Sequence, residues 1–369
     1  MKRILSLLAV SALAVSLSAC AANTYEVAMI TDLGSIDDKS FNQGTWEGVN
    51  KYATDNNKRA KYYQPTDATT AAYVAAIDLA ISGGAKIVVT PGFLFEESIF
   101  IAQDKYPDVN FVLIDGVPHN ADYSQFKTAS NTLSVLFAEQ ESGFLAGYAV
   151  VRDGYEKLGF MGGLPVPAVK RFGFGFVAGA YYAAKEMNKL SAVTVSNANY
   201  EYLGTFAPSD TVKSTAAGWF NAGTQIIFAA AGGAGNSVMG AAAESTNKWV
   251  VGVDVNQIPQ SEKVITAAMK EIGLAAYEAI DAHYKNQWVG GITKNYNASN
   301  NGVSIPNDFS RFSTFNKAQY DAIQAKVANG TILVPDTYAG LATFVGALGV
   351  STIDPNKFPT KANADANLG

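Results

Sequence analysis

Cysteine and histidine are scarce in this chain of 369 residues. The single cysteine, Cys20, has no partner for an intramolecular disulfide, so the hydrophobic core has to supply the stability. The two histidines, His119 and His283, do not have the spacing of metal ligands, which argues against a zinc site. The chain also lacks a Gly-x-Ser-x-Gly motif and a histidine placed to activate a nucleophile, which argues against a serine hydrolase.

Charged residues are also few, at 16% of the chain, and the formal net charge is −5. A nucleic-acid partner requires a basic face, so this balance argues against one. Aromatic residues make up 11%, and with the low charge they indicate a well-packed globular protein rather than a disordered one. A chain of this length is too long for one compact core and suits two domains.

The first twenty residues predict an export signal. Lys2-Arg3 precede the apolar run Ile4–Leu17, and small residues follow at a cleavage point, which is the pattern of a secretory signal peptide. The run is too short to serve as a membrane span. Leu17-Ser18-Ala19-Cys20 resembles the bacterial lipobox, which implies cleavage before Cys20 and lipidation of its thiol. Acyl chains such as palmitate would then hold the protein on the extracytoplasmic face of the cell membrane. The alternative is an ordinary signal peptide with an incidental cysteine.

After the signal peptide, short apolar runs alternate with helical patterns that end at glycine or proline. The runs predict strands at Val27–Thr31, Lys61–Gln64, Ala85–Thr90, Val109–Asp115 and Asn131–Phe137. Alternation of this kind, with nearly continuous apolar strands, predicts a parallel sheet covered by helices on both faces.

Around residue 155 the same pattern starts again, with strands predicted at 158–163, 192–196, 225–230 and 249–254. Two similar α/β halves predict two lobes with a ligand cleft between them. We assign residues 21–153 to an N-terminal lobe and 154–262 to a C-terminal lobe. Residues 263–353 then form a hinge crossing that returns to the lobes, with a crossing strand at Val264–Ala268 and a helix at Lys270–Lys285. Residues 354–369 form a polar tail, which we expect to be mobile.

The stretch Val27–Asn42 predicts one wall of the cleft. Its apolar run leads into a polar loop that contains Asp32, and Ser40 takes the N-cap position before a helix that begins at Phe41. In open α/β sheets, ligands bind at the carboxyl ends of the strands. We therefore expect Asp32 to supply hydrogen bonds and Phe41 a flat stacking face.

Three aspartates follow or end predicted parallel strands: Asp32, Asp115 and Asp254. A single aspartate at such a place is often a loop acid or a helix N-cap. Three at equivalent places favour a binding site for Asp32 and Asp254, while both interpretations stay open for Asp115.

Phe206 is the aromatic candidate from the second half, because it lies between a strand and the helix that begins at Asp210. One aromatic from each half could clamp a flat ring, with stacking worth roughly 0.5–1.5 kcal/mol beyond the area buried. Ordinary core packing is the alternative for Phe41 and Phe206 alike. Phe176 or Phe172 could take the second stacking position instead. Lys270 could reach the cleft as a donor, or it could be a solvated helix lysine.

The stretch Thr31–Gln43, TDLGSIDDKSFNQ, resembles the basic membrane protein family of bacterial ABC-transporter substrate-binding lipoproteins, which includes purine nucleoside receptors. Matching segments cover nearly the whole chain after the signal peptide: Pro91–Phe93, Phe137–Gly147, Leu158–Gly163, Gly252–Asp254 and Val264–Lys270. The resemblance implies two Rossmann-like lobes joined by a hinge, the type I periplasmic binding protein fold. It implies a purine nucleoside such as inosine, guanosine or adenosine as ligand, bound without catalysis or cofactor.

The resemblance also implies roles for single residues. Asp32, Phe41 and Asn42 match the family's first wall, and Gly252 and Asp254 match its ribose-binding segment. Lys270 matches a family lysine near the ribose, although the preceding residues depart from the serine-containing segment expected there. The implied partners are an ABC permease and its ATPase subunits, and we expect a monomer.

Three alternatives stay open at this point. The same fold could bind a sugar-like signal or another small polar solute, for which one aromatic face and many polar contacts suffice. An enzyme such as a nucleoside hydrolase would require clustered acids around a metal, and only Asp37-Asp38 are adjacent acids in the stretch that carries the motif. An additional role as an adhesin or antigen is compatible with the same scaffold.

Overall fold

The structure of the protein is a computed structural model, and it describes residues 24–367. The predicted signal peptide and the predicted lipidation site, Cys20, lie outside the described residues. Within residues 24–367, no helix is both long enough and apolar enough to cross a membrane.

Within residues 24–367, the first lobe consists of a parallel sheet of six strands and four α-helices. Its strands are β1 (Val27–Ile30), β2 (Ala60–Tyr63), β3 (Ile87–Pro91), β4 (Asn110–Ile114), β5 (Thr132–Phe137) and β11 (Ile292–Tyr296). Its helices are α1 (Phe41–Asp55), α2 (Thr70–Ser82), α3 (Glu96–Lys105) and α8 (Ile272–Tyr284). The strand order is β11-β5-β4-β3-β1-β2, with every pair parallel.

The second lobe repeats this arrangement. Its strands are β6 (Leu158–Gly162), β7 (Tyr200–Tyr202), β8 (Ile226–Ala230), β9 (Trp249–Asp254), β10 (Val264–Lys270) and β12 (Val303–Ser304). Its helices are α4 (Glu139–Arg152), α5 (Pro167–Glu186), α6 (Asp210–Asn221), α7 (Gly235–Ala243), α9 (Lys317–Ala328), α10 (Tyr338–Leu348) and α11 (Lys361–Ala364). The strand order is β12-β10-β9-β8-β6-β7, and only the short edge strand β12 is antiparallel to its neighbour.

The continuous apolar runs form the interior strands because helices cover both faces of each sheet. Every residue of β1, β3, β6 and β8 is buried. The structure therefore confirms the predicted α/β fold of two parallel-sheet lobes.

In the described part of the chain, the backbone passes between the lobes at three places: from β5 to α4, from β10 to α8, and from β11 to β12. Helix α4 belongs to the sequence predicted as the N-terminal lobe, yet it packs on β10 and α5 of the second lobe. Val264–Ala268, predicted as a crossing strand, forms part of the second sheet instead. Each crossing is short, so residues at these points lie between the two lobes.

Two further predictions were wrong. Residues 192–196 form only an isolated bridge to Lys157, and the edge strand that pairs with β6 is Tyr200–Tyr202. The polar tail packs on the second lobe: Phe358 and Ala364 are fully buried, and the hydroxyl of Thr360 donates to Asn197. A few apolar residues within a polar segment are enough to anchor it.

Helices α4 and α5 pack backbone to backbone through glycines. A Cβ atom added at Gly175 would lie 1.9 Å from the carbonyl oxygen of Gln140, and one at Gly179 would lie 2.0 Å from that of Phe144. Gly143 and Gly147 make the same close approach from α4. This pair of helices therefore requires glycine at the contact.

We predict that Gly175→Ala destabilises the protein by about 1–3 kcal/mol, because the backbone of α4 must move away. The matched control is Gly218→Ala on the exposed face of α6, where a Cβ atom has no neighbour within 4 Å. That change should stabilise the protein by up to about 1 kcal/mol, because alanine favours helix over glycine. Equilibrium unfolding in urea measures both, and equal effects at the two positions would contradict the assignment.

Candidate binding site

A cavity of about 680 Å³, part of it open to solvent, lies between the lobes at the carboxyl ends of their strands. The first lobe contributes a wall of polar and aromatic side chains: Asp32, Asp38, Phe41, Asn42, Phe93, Leu94 and Asp115. The second lobe contributes a more apolar wall: Val166, Ala168, Val169, Phe172, Phe206, Ala230, Val253, Asp254 and Lys270. A site of this kind can bury a flat, polar-edged molecule from both sides.

Among the eight predicted ligand-binding residues, Gly252 alone does not line the cavity. A Cβ atom at Gly252 would lie 2.5 Å from Oε1 of Gln257. That oxygen accepts the N–H of Val253 at 2.9 Å. The glycine therefore makes room for a side chain that holds the end of β9, next to Asp254.

The carboxylate of Asp32 is positioned by its own loop and by α1. Its Oδ1 accepts the N–H of Gly34 at 2.8 Å and the side-chain amide of Asn42 at 2.9 Å. Burial raises the pKa of Asp32 to about 6, and these two hydrogen bonds oppose that rise. Asp32 therefore presents a partly buried carboxylate to the cavity, and Asn42 orients it.

Ser40 occupies the N-cap position of α1, but its side chain does not cap the helix. The carboxylate of Asp38 takes that role, accepting the N–H groups of Asn42 at 3.0 Å and Gln43 at 3.1 Å. The Ser40 hydroxyl instead donates to Oδ2 of Asp254 in the other lobe, at 2.7 Å. An aspartate near the helix start can replace a serine cap because its two oxygens accept several N–H groups.

The structure distinguishes the aromatic candidates by whether their side chains line the cavity. Phe41 of the first lobe and Phe206 of the second are both half-buried and line the cavity. A Cβ atom at Gly163 would lie 2.2 Å from the Phe206 ring, so this glycine gives the ring its place. Phe172 also lines the cavity, whereas Phe176 is fully buried against Phe228 and cannot reach a ligand.

Asp115 and Asp254 occupy the same position in the two lobes. Asp115 directly follows β4 and Asp254 ends β9, the strand in the equivalent place of the second sheet. Both have left-handed backbone conformations, with φ of 62° and 65°. Aspartate tolerates this region better than most residues, and such conformations gather at functional sites. The turn directs each carboxylate into the space between the lobes.

Lys270 ends β10 rather than beginning a helix, and its side chain is buried, so it is not a solvated helix lysine. Its ammonium group bonds the Asp115 carboxylate and lies 3.6 Å from oxygens of Glu139 and Asp254. It also lies 4.7 Å from the centre of the Phe41 ring. The ammonium group thus joins carboxylates of both lobes.

Burial raises the pKa of two carboxylates in this cluster. It raises the pKa of Asp115 to about 7, with Lys270 opposing the rise and Glu139 adding to it. The pKa of Asp254 is raised for the same reason. Burial alone would lower the pKa of Lys270, but the three carboxylates outweigh it and keep the ammonium group charged.

Direct hydrogen bonds also connect the two lobes beside the cavity. The side-chain amides of Gln257 and Gln260 both donate to the carbonyl oxygen of Lys39, at 2.9 and 2.8 Å. With the Ser40–Asp254 bond, they hold the loop before α1 against the second lobe. The structure therefore shows the lobes closed on each other.

Sequence reasoning missed several residues of this site. Asp38 could have been predicted from the sequence, because it lies in the loop that joins β1 to α1. Phe93 and Leu94 follow β3 after Gly92, so the strand-end rule could have found them. Glu139 and its partner Arg171 gave no such signal, because they meet Lys270 only through the crossing of the chain between the lobes.

Residues 25–338 match the Bmp family of ABC transporter substrate-binding proteins, PnrA-like. An ABC transporter nucleoside-binding protein, BmpA, of Lactococcus lactis subsp. cremoris is 28% identical over 302 residues, 76% of this chain and 81% of that protein. Basic membrane protein A of Borreliella burgdorferi is 27% identical over 324 residues, 87% of this chain and 90% of that protein.

The crystal structure of an ABC transporter solute-binding protein from Aeropyrum pernix has a similar fold. It shares a TM-score of 0.74 and 21% identity, and the match covers 88% of this chain and 97% of that chain. The two lobes thus have the type I periplasmic binding protein fold that the resemblance implied.

We predict that Asp32→Asn removes part of the pH dependence of stability. The pKa of Asp32 is about 6 in the folded protein and about 3.9 when unfolded, so its contribution to stability is lost as pH rises between these values. Relative to the wild type, the variant should therefore gain on the order of 2–3 kcal/mol between about pH 4 and pH 7. Asparagine can keep both hydrogen bonds to Oδ1. Urea unfolding at several pH values measures the difference, and a constant difference would contradict the raised pKa.

Proposed function

Because this chain belongs to the Bmp family of PnrA-like ABC transporter substrate-binding proteins, we propose that it captures purine nucleosides and delivers them to an ABC importer. The name of the Lactococcus relative, a nucleoside-binding protein, supports this choice of ligand. The observation that carries the proposal is the pairing of Phe41 and Phe206, from opposite lobes, in one cavity with four aspartates.

The aromatic pair suits the flat base of a nucleoside. In this proposal Phe41 supplies one stacking face and Phe206 the other, with Phe172 beside them. Stacking contributes roughly 0.5–1.5 kcal/mol per pair beyond the buried area. A sugar alone would use one such face and would leave the second without a role.

In this proposal, Asp32 forms the hydrogen bonds with the edge of the base. Above about pH 6 this carboxylate is ionised and accepts hydrogen bonds only. The ring edge of inosine or guanosine offers an N–H there, whereas adenosine offers an acceptor. We therefore expect inosine and guanosine to bind more tightly than adenosine at neutral pH.

The ribose faces the other end of the cavity in this proposal. A carboxylate such as Asp254 can accept both ribose hydroxyls, and Oδ1 of Asp115 is buried without a hydrogen-bond partner among residues 24–367. A ligand lacking one hydroxyl leaves a buried acceptor underpaired, which costs affinity. Lys270 keeps the charge of these carboxylates compensated.

The proposed mechanism requires no chemistry on the ligand. The open protein binds the nucleoside on one wall, and the lobes then close about the three crossings. Closure is favoured to the extent that the ligand makes better contacts with the closed state. The function is thus binding rather than catalysis, with an ABC permease and ATPase as the receiving partners and a monomer as the binding unit.

We further propose that lipid on Cys20 anchors the protein to the extracytoplasmic face of the cell membrane. The lipobox-like Leu17–Cys20 supports this, and the family connection to basic membrane proteins agrees with it. Mass spectrometry of the amino-terminal peptide of the protein from its native membrane should find Cys20 first and its thiol acylated. An unmodified Cys20 within a longer peptide would contradict the anchor.

The direct test is thermal unfolding and calorimetry of the chain from Ala21, which contains all described elements. Inosine, guanosine and adenosine should each raise the unfolding temperature, since a ligand at a hundred times its Kd adds about 2.7 kcal/mol. Free ribose should have no effect, and 2′-deoxyguanosine should bind more weakly than guanosine.

Phe41→Leu serves as the site variant for this test, and Phe176→Leu as its matched control in the core. The first should weaken nucleoside binding while the second lowers stability only. If galactose or arabinose stabilises the protein and no nucleoside does, the sugar alternative replaces this proposal.

A further inference from the structure

One carboxylate beside Lys270 belongs to neither wall of the cavity. Glu139 is the first residue of α4, directly after the crossing from β5, and its side chain is fully buried. It does not line the cavity. Lys270 ends β10, which takes the place of β5 in the second sheet. The two residues therefore connect two crossings between the lobes.

One oxygen of the Glu139 carboxylate accepts a hydrogen bond, and the other accepts none within the described residues. Its Oε2 accepts Nε of Arg171 at 2.6 Å. Its Oε1 lies 3.6 Å from Nζ of Lys270 and has no hydrogen-bond partner in the described part of the chain. Arg171 comes from α5, which packs closely on α4 through glycines. Glu139 is thus a fixed negative charge aimed at Lys270.

The need for such a charge follows from the other partners of Lys270. Asp115 and Asp254 both line the cavity, one from each lobe. If either turns an oxygen to a ligand hydroxyl, it compensates the ammonium group less well. A buried charge that loses a partner is strongly destabilised. A third carboxylate that never contacts the ligand removes this conflict.

We propose that Glu139 is a positioning residue for the binding site. Held by its hydrogen bond to Arg171, it keeps the Lys270 ammonium group at the lobe crossing, so that Asp115 and Asp254 can bind the ligand. This inference rests on the proposed function, since it assumes a ligand with hydroxyl groups at that end of the cavity. It assigns a role in binding to a residue that does not touch the ligand.

The test compares Glu139→Gln with the wild type and with Glu141→Gln. Glutamine can still accept from Arg171, but it has no charge for Lys270. Glu141 lies on the same helix, and its carboxylate accepts the N–H of Ala298 at 2.6 Å, away from Lys270. We expect Glu139→Gln to weaken binding of the best nucleoside by about tenfold or more, with Glu141→Gln unchanged.

A second readout separates positioning from a purely structural role. Asp115 is faced by Lys270, Glu139 and Asp254, and Arg171 lies behind them. Removing the charge of Glu139 should therefore lower the titration midpoint of Asp115 from about 7. Carboxyl ¹³C NMR, assigned with Asp115→Asn, measures this midpoint without ligand, and Glu141→Gln should leave it in place.

The outcomes are distinct. Wild-type affinity and an unmoved Asp115 midpoint in Glu139→Gln would overturn this inference while leaving nucleoside binding by the wild type intact. If the wild type binds no nucleoside, the proposed function fails, and the Asp115 midpoint alone decides whether Glu139 acts on the cluster.

If Glu139→Gln does not fold, Glu139→Asp keeps the charge but withdraws it by one methylene. Weaker binding by that variant supports the inference, and unchanged binding overturns it.

Discussion

A buried ammonium group has to be surrounded by negative charge, and this requirement governs how the two lobes meet. Lys270 ends a strand of the second sheet, yet its carboxylate partner at bonding distance, Asp115, follows a strand of the first. Asp254 and Glu139 complete its surroundings at 3.6 Å. Because Asp115 and Lys270 belong to different lobes, their ion pair contributes to holding the lobes in the closed arrangement.

The repeated topology explains why these groups converge. The strand order of the second sheet reproduces that of the first, so Asp115 and Asp254 occupy the same position in the two lobes. Both leave their strands through a left-handed turn. Because the lobes face each other with their carboxyl ends, two equivalent aspartates meet across one cavity. The strand beside each aspartate's strand then supplies one member of a second pair. Glu139 follows β5 in the chain, and Lys270 ends β10.

The sequence alone predicts much of this arrangement and misses what depends on the crossings. Apolar runs identify the interior strands, and the rule on strand ends finds the aspartates and Phe41 because both rely on local pattern. The edge strands β11 and β12 are polar or very short, so no apolar run marks them. Lys270 looks like the start of a helix, and only the pairing of β10 with β9 and of Lys270 with Val303 of β12 shows that it ends a strand. Glu139 acquires a partner in Lys270 through three-dimensional contact, which no spacing in the sequence encodes.

At the start of α1, Asp38 takes the capping role that Ser40 would normally have, and this exchange supports the closed state. A serine before a helix normally uses its hydroxyl to accept an N–H of the first turn. Here Asp38 accepts those N–H groups, and this leaves the Ser40 hydroxyl free to donate to Asp254 in the other lobe. The Asp254 carboxylate is therefore held by Ser40 on one side and by Lys270 on the other. Its orientation depends on both lobes, so the site is complete only when the cleft is closed.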